Sequence, residues 1–364
     1  MDRGATRTAG RALAAMTALL VLVQPAAAHV RYVSDDDGGP TGLALLADVL
    51  ADPLNAALLG GGAVTTLAVA LAYLRFRPAR TDLAVLRETL LGYRDLVPWM
   101  LRLALGLPLV GAGFAGYYFS PEVAWSMRVF QVALGFFLLF GLATRAVAGV
   151  GLLAYLVALP FAPDLLLAFE YVPGFIAIVL VGSGRPSADH MLKQVAGTPG
   201  TIYGRFDPVY GLADWFDGVV EPYKRYAPTV VRAGLGIAFA YLGIVEKLLA
   251  PGTGLAVVEK YNLTAVVPVD PGLWVIGAGL TELALGVALL LGVFTRGGAA
   301  VAFVMFTLTL FGLPDDPVLA HVTLYGMVSM LFITGSGPLA VDNWLRETSR
   351  DARTSEGEAA VADD

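Results

Sequence analysis

The run TELALGVALLLGVFTR, from Thr281 to Arg296, sets a single carboxylate, Glu282, in an apolar stretch long enough to cross a bilayer. An ionisable side chain is expensive there, and one that is retained usually has a role. The run has a partner, QVALGFFLLFGLATR, from Gln131 to Arg145, which aligns with it at a constant offset of 151 residues. Gly135 answers to Gly286, Gly141 to Gly292, Thr144 and Arg145 to Thr295 and Arg296, and Gln131 to Glu282. Self-similarity at a fixed period is the signature of an internal repeat, and the second copy is the more highly charged.

Of the 364 residues, 57% are hydrophobic and only 15% charged, and the mean hydropathy is +0.70. A soluble domain sits near 45–50% apolar and about 25% charged. The composition therefore predicts an all-α polytopic membrane protein: two parallel-topology four-helix repeats plus one extra N-terminal span and a signal peptide. The absence of cysteine excludes disulfides, thiolate-held clusters and thiol nucleophiles, so the chain is expected to bring no cofactor of its own and any redox role must borrow one. Of His29, His190 and His321 only the last lies in a span, so one chain cannot clasp a haem between two membrane histidines. No metal site is expected, because His29 has no second external histidine beside it. Phosphate-binding glycine loops, zinc spacings and nucleophile motifs are absent from the sequence, and no basic patch supports nucleic-acid binding.

Residues 1–28 have the order of a signal peptide: Arg3, Arg7 and Arg11, an apolar core from Ala12 to Val23, and Ala26-Ala27-Ala28 at the cleavage point. An uncleaved anchor helix is the alternative, and it leaves the next segment on the same side of the membrane. Residues 29–96 hold an external segment containing Asp35-Asp36-Asp37, a first span from Leu54 to Leu74, and a cytoplasmic basic segment with Arg75, Arg77, Arg80, Arg87 and Arg94. The first repeat, 97–192, has spans at Val97–Phe119, Ala124–Ala143, Ala146–Phe161 and Leu165–Val181, and 193–228 is a cytoplasmic or interfacial linker carrying Trp215, Phe216, Tyr223 and Tyr226. The second repeat, 229–345, has spans at Thr229–Leu249, Gly272–Phe294, Gly297–Leu313 and Pro317–Gly335, and 346–364 is an acidic tail expected to be disordered. Alternating sides puts fifteen Lys and Arg residues in cytoplasmic segments, against Arg31 and Lys260 outside. That distribution places the mature N-terminus outside and the C-terminus in the cytoplasm. Because both repeats start on the cytoplasmic side, they have parallel topology, related by an axis along the membrane normal.

In the span Thr229–Leu249, Arg232, Gly236, Gly243 and Lys247 share one helix face, and Arg102, Gly106, Gly113 and Tyr117 repeat the spacing in the first copy. Such glycines let helices approach closely in lipid, so the stripe is architectural and Lys247 is the addition. Glu282 lies between Gly279 and Gly286 on its face and should point into a helix contact. His321 and Tyr325 share a face of the last span. Lys247, Glu282 and His321 are the candidate chemical residues. Tyr325, Glu246 and Arg232 are candidates for holding a cofactor such as a quinone. A buried polar cluster that merely locks the bundle is the competing account for any one of them, and convergence of several favours function.

From Val231 to Leu345 the chain resembles the DoxX family of four-helix membrane proteins. The likeness rests on Arg232 and Gly236, on Lys247 closing the first helix, on Glu282 opening a helix with Gly286 and Gly292, on Arg296, and on Gly335-Ser336-Gly337 followed by Asp342. Met100 to Leu192 resembles a degenerate second copy, with Tyr117 and Gln131 in place of the lysine and glutamate. The resemblance implies a link to quinone-coupled membrane oxidoreductases and redox-stress assemblies, with the lipid bilayer and other membrane or peripheral redox subunits as partners. The protein would then be a quinone-linked subunit of such a complex; the alternative is a non-catalytic membrane scaffold or small-solute transport module.

Overall fold

The computed structural model describes residues 30–34, 38–76, 78–206 and 210–344. The expected signal peptide, His29, Asp35–Asp37, Arg77 and the acidic tail lie outside these residues. The described residues form helices joined by turns, without strands, and five of the helical runs are long and apolar enough to cross a membrane: Pro53–Phe76, Arg94–Ala115, Gly211–Leu249, Pro271–Leu291 and Thr295–Gly312. Shorter apolar helices stand between them. This is an all-α polytopic membrane protein.

In chain order the helices are α1 (Gly42–Ala51), α2 (Pro53–Phe76), α3 (Arg80–Leu91), α4 (Val97–Ala115), α5 (Arg128–Phe140), α6 (Thr144–Ala158), α7 (Tyr171–Val181), α8 (Ala188–Gly197), α9 (Ile202–Phe206), α10 (Tyr210–Val220), α11 (Ala227–Tyr241), α12 (Gly252–Lys260), α13 (Pro271–Leu291), α14 (Thr295–Gly312) and α15 (Val318–Thr334). A π-helix, Leu242–Leu249, prolongs α11. Two expected loops hold helices of their own. The external stretch before Asp52 contains α1, whose Leu45 and Val49 pack on Leu273 and Ile276. The loop after Leu249 contains α12. Two expected spans also end differently. The helix from Val97 stops at Ala115 because Gly116 takes a positive φ of 88°, which a side chain would resist. The span expected to start at Leu165 is a 3-10 turn, Pro163–Ala168, before α7.

The chain divides into two compact units. One comprises residues up to Gly92, Phe239–Leu285 and Ala302–Pro317. In it the chain before α1 and the first turn of α1 run over the π-helix and α12: a Cβ on Gly42 would meet the Leu248 carbonyl at 1.7 Å and one on Gly39 the Cα of Gly252 at 2.7 Å. Lys260 donates to the Val33 carbonyl at 2.9 Å. The π-helix crosses α13 where a Cβ on Gly243 would lie 2.6 Å from the Gly279 carbonyl.

The other unit comprises Tyr93–Ala238, Gly286–Val301 and the chain from Val318. Helices α4 and α5 meet at Gly106 and Gly135, where added Cβ atoms would lie 3.0 Å or less from the opposing carbonyl. Thr323 of α15 donates to the Ala104 carbonyl at 3.0 Å. Within this unit one set of polar clamps occurs twice. Arg102 donates to the carbonyls of Leu139, Ser183 and Pro186, and Arg232 to those of Leu289, Leu290, Ser336 and Leu339. The Asp189 carboxylate accepts from the N–H groups of Ala143 and Thr144, and Asp342 accepts from Phe294 and Thr295. Arg145 reaches the carbonyls of Val179 and Leu180, and Arg296 those of Phe332 and Ile333. Each clamp supplies charged partners to backbone groups that helix termini leave unsatisfied.

The linker folds on itself. Lys193 pairs with Asp214 at 3.0 Å and with Asp217 at 2.8 Å, and Asp217 also pairs with Arg145. Leu212, Trp215, Val219 and Tyr223 stay exposed, an apolar surface of the kind that suits a membrane interface.

Candidate functional site

Lys247 and Glu282 meet. Lys247 Nζ donates to Glu282 Oε2 at 2.7 Å, with the side chains 2% and 0% exposed. The π-helix carries Lys247, and its close crossing with α13 brings the two backbones near enough for the side chains to pair: a Cβ on Gly279 would touch Cβ of Lys247 at 3.0 Å. A π-turn is rare and tends to occur at functional sites. Here it also turns the neighbouring Glu246 inward, so that two consecutive ionisable residues are both buried. Glu246 Oε2 pairs with Arg31 Nε at 2.7 Å, while its Oε1 is buried without a hydrogen-bond partner. Glu282 Oε1 is likewise buried and unpartnered.

Two hollows adjoin these residues. A water-sized void of about 10 Å³ is lined by Lys247, Gly254, Val257, Val258, Trp274, Val275 and Ala278, and the indole N–H of Trp274 is buried without an acceptor. A cleft of about 210 Å³ lies over Glu246 and Arg31, with Thr41, Leu249, Ala250 and Thr253 among its walls. Tyr117 and Gln131, which match Lys247 and Glu282 in sequence spacing, are uncharged. With its amide turned so that both partners are satisfied, the buried Gln131 donates to the Tyr117 carbonyl at 2.8 Å and accepts from the Phe119 N–H at 3.1 Å. It thus satisfies the backbone where the chain turns after α4.

The structure therefore joins Lys247 to Glu282 and sets Glu246 on Arg31. Arg232, His321 and Tyr325 fall in the other unit. The Arg232 guanidinium is spent on four backbone carbonyls. His321 is fully buried on α15. Outside the spans, Lys260 and the Tyr261 hydroxyl reach Asp315 at 3.0 and 2.9 Å, and these two donors hold the Asp315 carboxyl below its ordinary range. Sequence reasoning passed over Arg31 and Trp274. Arg31 looked like a lone external charge, and nothing local marks it as the partner of a residue more than two hundred positions away. Trp274 gave a weak signal, as an aromatic with a polar N–H opening an apolar helix. Among the described residues, no three His, Cys, Asp or Glu side chains are grouped to hold a metal.

Residues 227–315 match the model of the DoxX family, a segment that begins with α11 and contains Lys247, Glu282, Glu246 and Trp274. No curated protein and no solved structure matches the chain.

Proposed function

We propose, from the DoxX match at residues 227–315, that this membrane protein is a quinone-linked subunit of an oxidoreductase complex, with Lys247, Glu282 and Glu246 as its polar site. One observation carries the proposal: a buried Lys247–Glu282 pair at 2.7 Å, set beside apolar walls and an unpaired indole N–H. A quinone ring needs donors and acceptors at its oxygens and a dry surround for the ring. The residues at hand are of those types. The ionic pair is not a packing necessity, since Gln131 with the Tyr117 backbone serves the equivalent position without charge. Arg232 is a structural clamp in this account. The twice-repeated clamps support descent from a duplicated four-helix unit, and the basic-residue distribution supports an external mature N-terminus after signal cleavage, with redox subunits as partners.

The test uses the full chain in lipid nanodiscs and a photoactivatable short-chain benzoquinone. Label is expected on residues 242–249 and 271–282, and is expected to vanish in a folded variant carrying Lys247→Tyr and Glu282→Gln. Equal labelling of that variant removes the site; no labelling of either protein removes the quinone.

A further inference from the structure

The cleft over Glu246 carries an inference about which form of a ligand it takes. The Glu246 side chain is 3% exposed and lines the cleft, yet its Oε1 has no donor. A buried carboxylate oxygen left unpaired is costly, and a ligand that brings a donor removes that cost. Among the described residues the charges beside it are paired: Arg31 with Glu246 and Lys247 with Glu282, each at 2.7 Å. A cation entering the cleft would face the Arg31 guanidinium, and an anion would face the Glu246 carboxylate. The fitting ligand is therefore neutral. It presents a donor to Glu246 Oε1. Pro40, Leu249 and Ala250 give the cleft apolar contacts beside Thr41 and Thr253, and about 210 Å³ admits one ring rather than a whole lipid.

We infer that the cleft bounded by Arg31, Glu246 and Ala250 is a head-group site that selects a hydroxyl-bearing single ring, the quinol, over the corresponding quinone, whose carbonyls cannot donate to Glu246. This rests on the quinone-linked role proposed above and adds to it the entry site and the favoured redox form. No electron transfer is assigned to the cleft.

The experiment is anaerobic titration of the full-length protein in nanodiscs with a short-chain benzoquinol and with its benzoquinone. The wild type should bind the quinol about tenfold more tightly or better, the yield of a hydrogen bond to a charged acceptor. Glu246→Gln supplies an amide N–H that suits a carbonyl, so its preference should shrink to near parity or invert, a change that a purely structural Glu246 would not produce. Ala250→Trp alters an exposed wall, leaves both ion pairs alone and should abolish binding of both forms. An unchanged preference in Glu246→Gln, or undiminished binding in Ala250→Trp, overturns the cleft. If binding survives both changes but is lost with Lys247→Tyr and Glu282→Gln, the cleft fails while the proposed function stands. Absence of binding by the wild type defeats both.

Discussion

Changing Glu282 to Gln leaves the Lys247 ammonium, 2% exposed, without a counter-charge. Removing one partner of a buried ion pair costs roughly 3–5 kcal/mol. The glutamine oxygen can keep the 2.7 Å hydrogen bond from Nζ, and a bond from a charged donor is worth about 1.5–3 kcal/mol. The loss should therefore fall at the lower end, near 3 kcal/mol. At about 1.4 kcal/mol per decade this is roughly a hundredfold in the folding equilibrium. Adding Lys247→Tyr removes the stranded charge and reproduces the residue types of Tyr117 and Gln131. The double variant should regain stability, giving a coupling energy of about 1–3 kcal/mol in a double-mutant cycle. Reversible unfolding in mixed micelles, followed by tryptophan fluorescence, measures all four corners of the cycle. If Glu282→Gln unfolds within about 0.5 kcal/mol of the wild type, the additivity error for independent sites, the pair is not ionised and the argument from charge fails.

Arg232→Lys should destabilise more than Arg102→Lys in the same unfolding assay, because one guanidinium holds four carbonyls and the other three, each net bond being worth about 0.5–1.5 kcal/mol. Asp342→Ala and Asp189→Ala should each cost about 1 kcal/mol, the usual loss when a capping side chain is replaced by alanine, since each carboxylate accepts the first N–H groups of α14 or α6; unequal losses beyond error would deny that the two caps are equivalent. Between α14 and α15, burial pushes the Asp316 carboxyl from 3.8 up to about 7. The folded state then holds a proton that the unfolded state has released between those two values, so stability should fall as pH rises through that window and stay lower above it. Asp316→Asn should flatten the pH 5–8 stability profile, and an unaltered profile would clear Asp316 of responsibility.

Much of this was legible in the sequence because lipid makes every backbone group find an internal partner, which leaves apolar helices as the dominant pattern. The matching of Gly141 to Gly292 and Arg145 to Arg296 was visible as spacing and reappears as matched geometry: both glycines have φ of 68°, and both arginines cap the end of the following helix. The pairing of Lys247 with Glu282 was legible as cost, since two charges on glycine-lined faces in successive spans have few other partners. The π-helix was not, because Gly243 has its match in Gly113 of the regular helix α4, and nothing else in residues 242–249 distinguishes five-residue from four-residue hydrogen bonding. Helix α1 was hidden because its ten residues are too short to signal a span. Its packing on Leu273 is a contact over more than two hundred residues, which no local pattern encodes. Arg31 was hidden for the same reason.

Tyr117 and Gln131, which match Lys247 and Glu282 in spacing, show what the fold demands without charge, and that bears on what the charged pair is for. At 117 and 131 the demand is local: α4 stops at Ala115, Gly116 turns, and the neutral Gln131 amide ties the Tyr117 and Phe119 backbone. At 247 and 282 the helix does not stop; it continues for eight residues in π form and delivers two ionisable side chains to the interior. Each step there is less favourable than its neutral counterpart: π-turns are rare, buried ion pairs can do worse than neutral substitutes of the same volume, and Glu246 Oε1 and Glu282 Oε1 are left without donors. Arg102 and Arg232 both hold the start of their helix to backbone carbonyls of the following helices and turns, so the absence of anchoring does not explain the divergence. A cost confined to one of two places that match in sequence spacing, next to the larger cleft and inside the DoxX-matching segment, is what the proposed site would produce and a packing requirement would not.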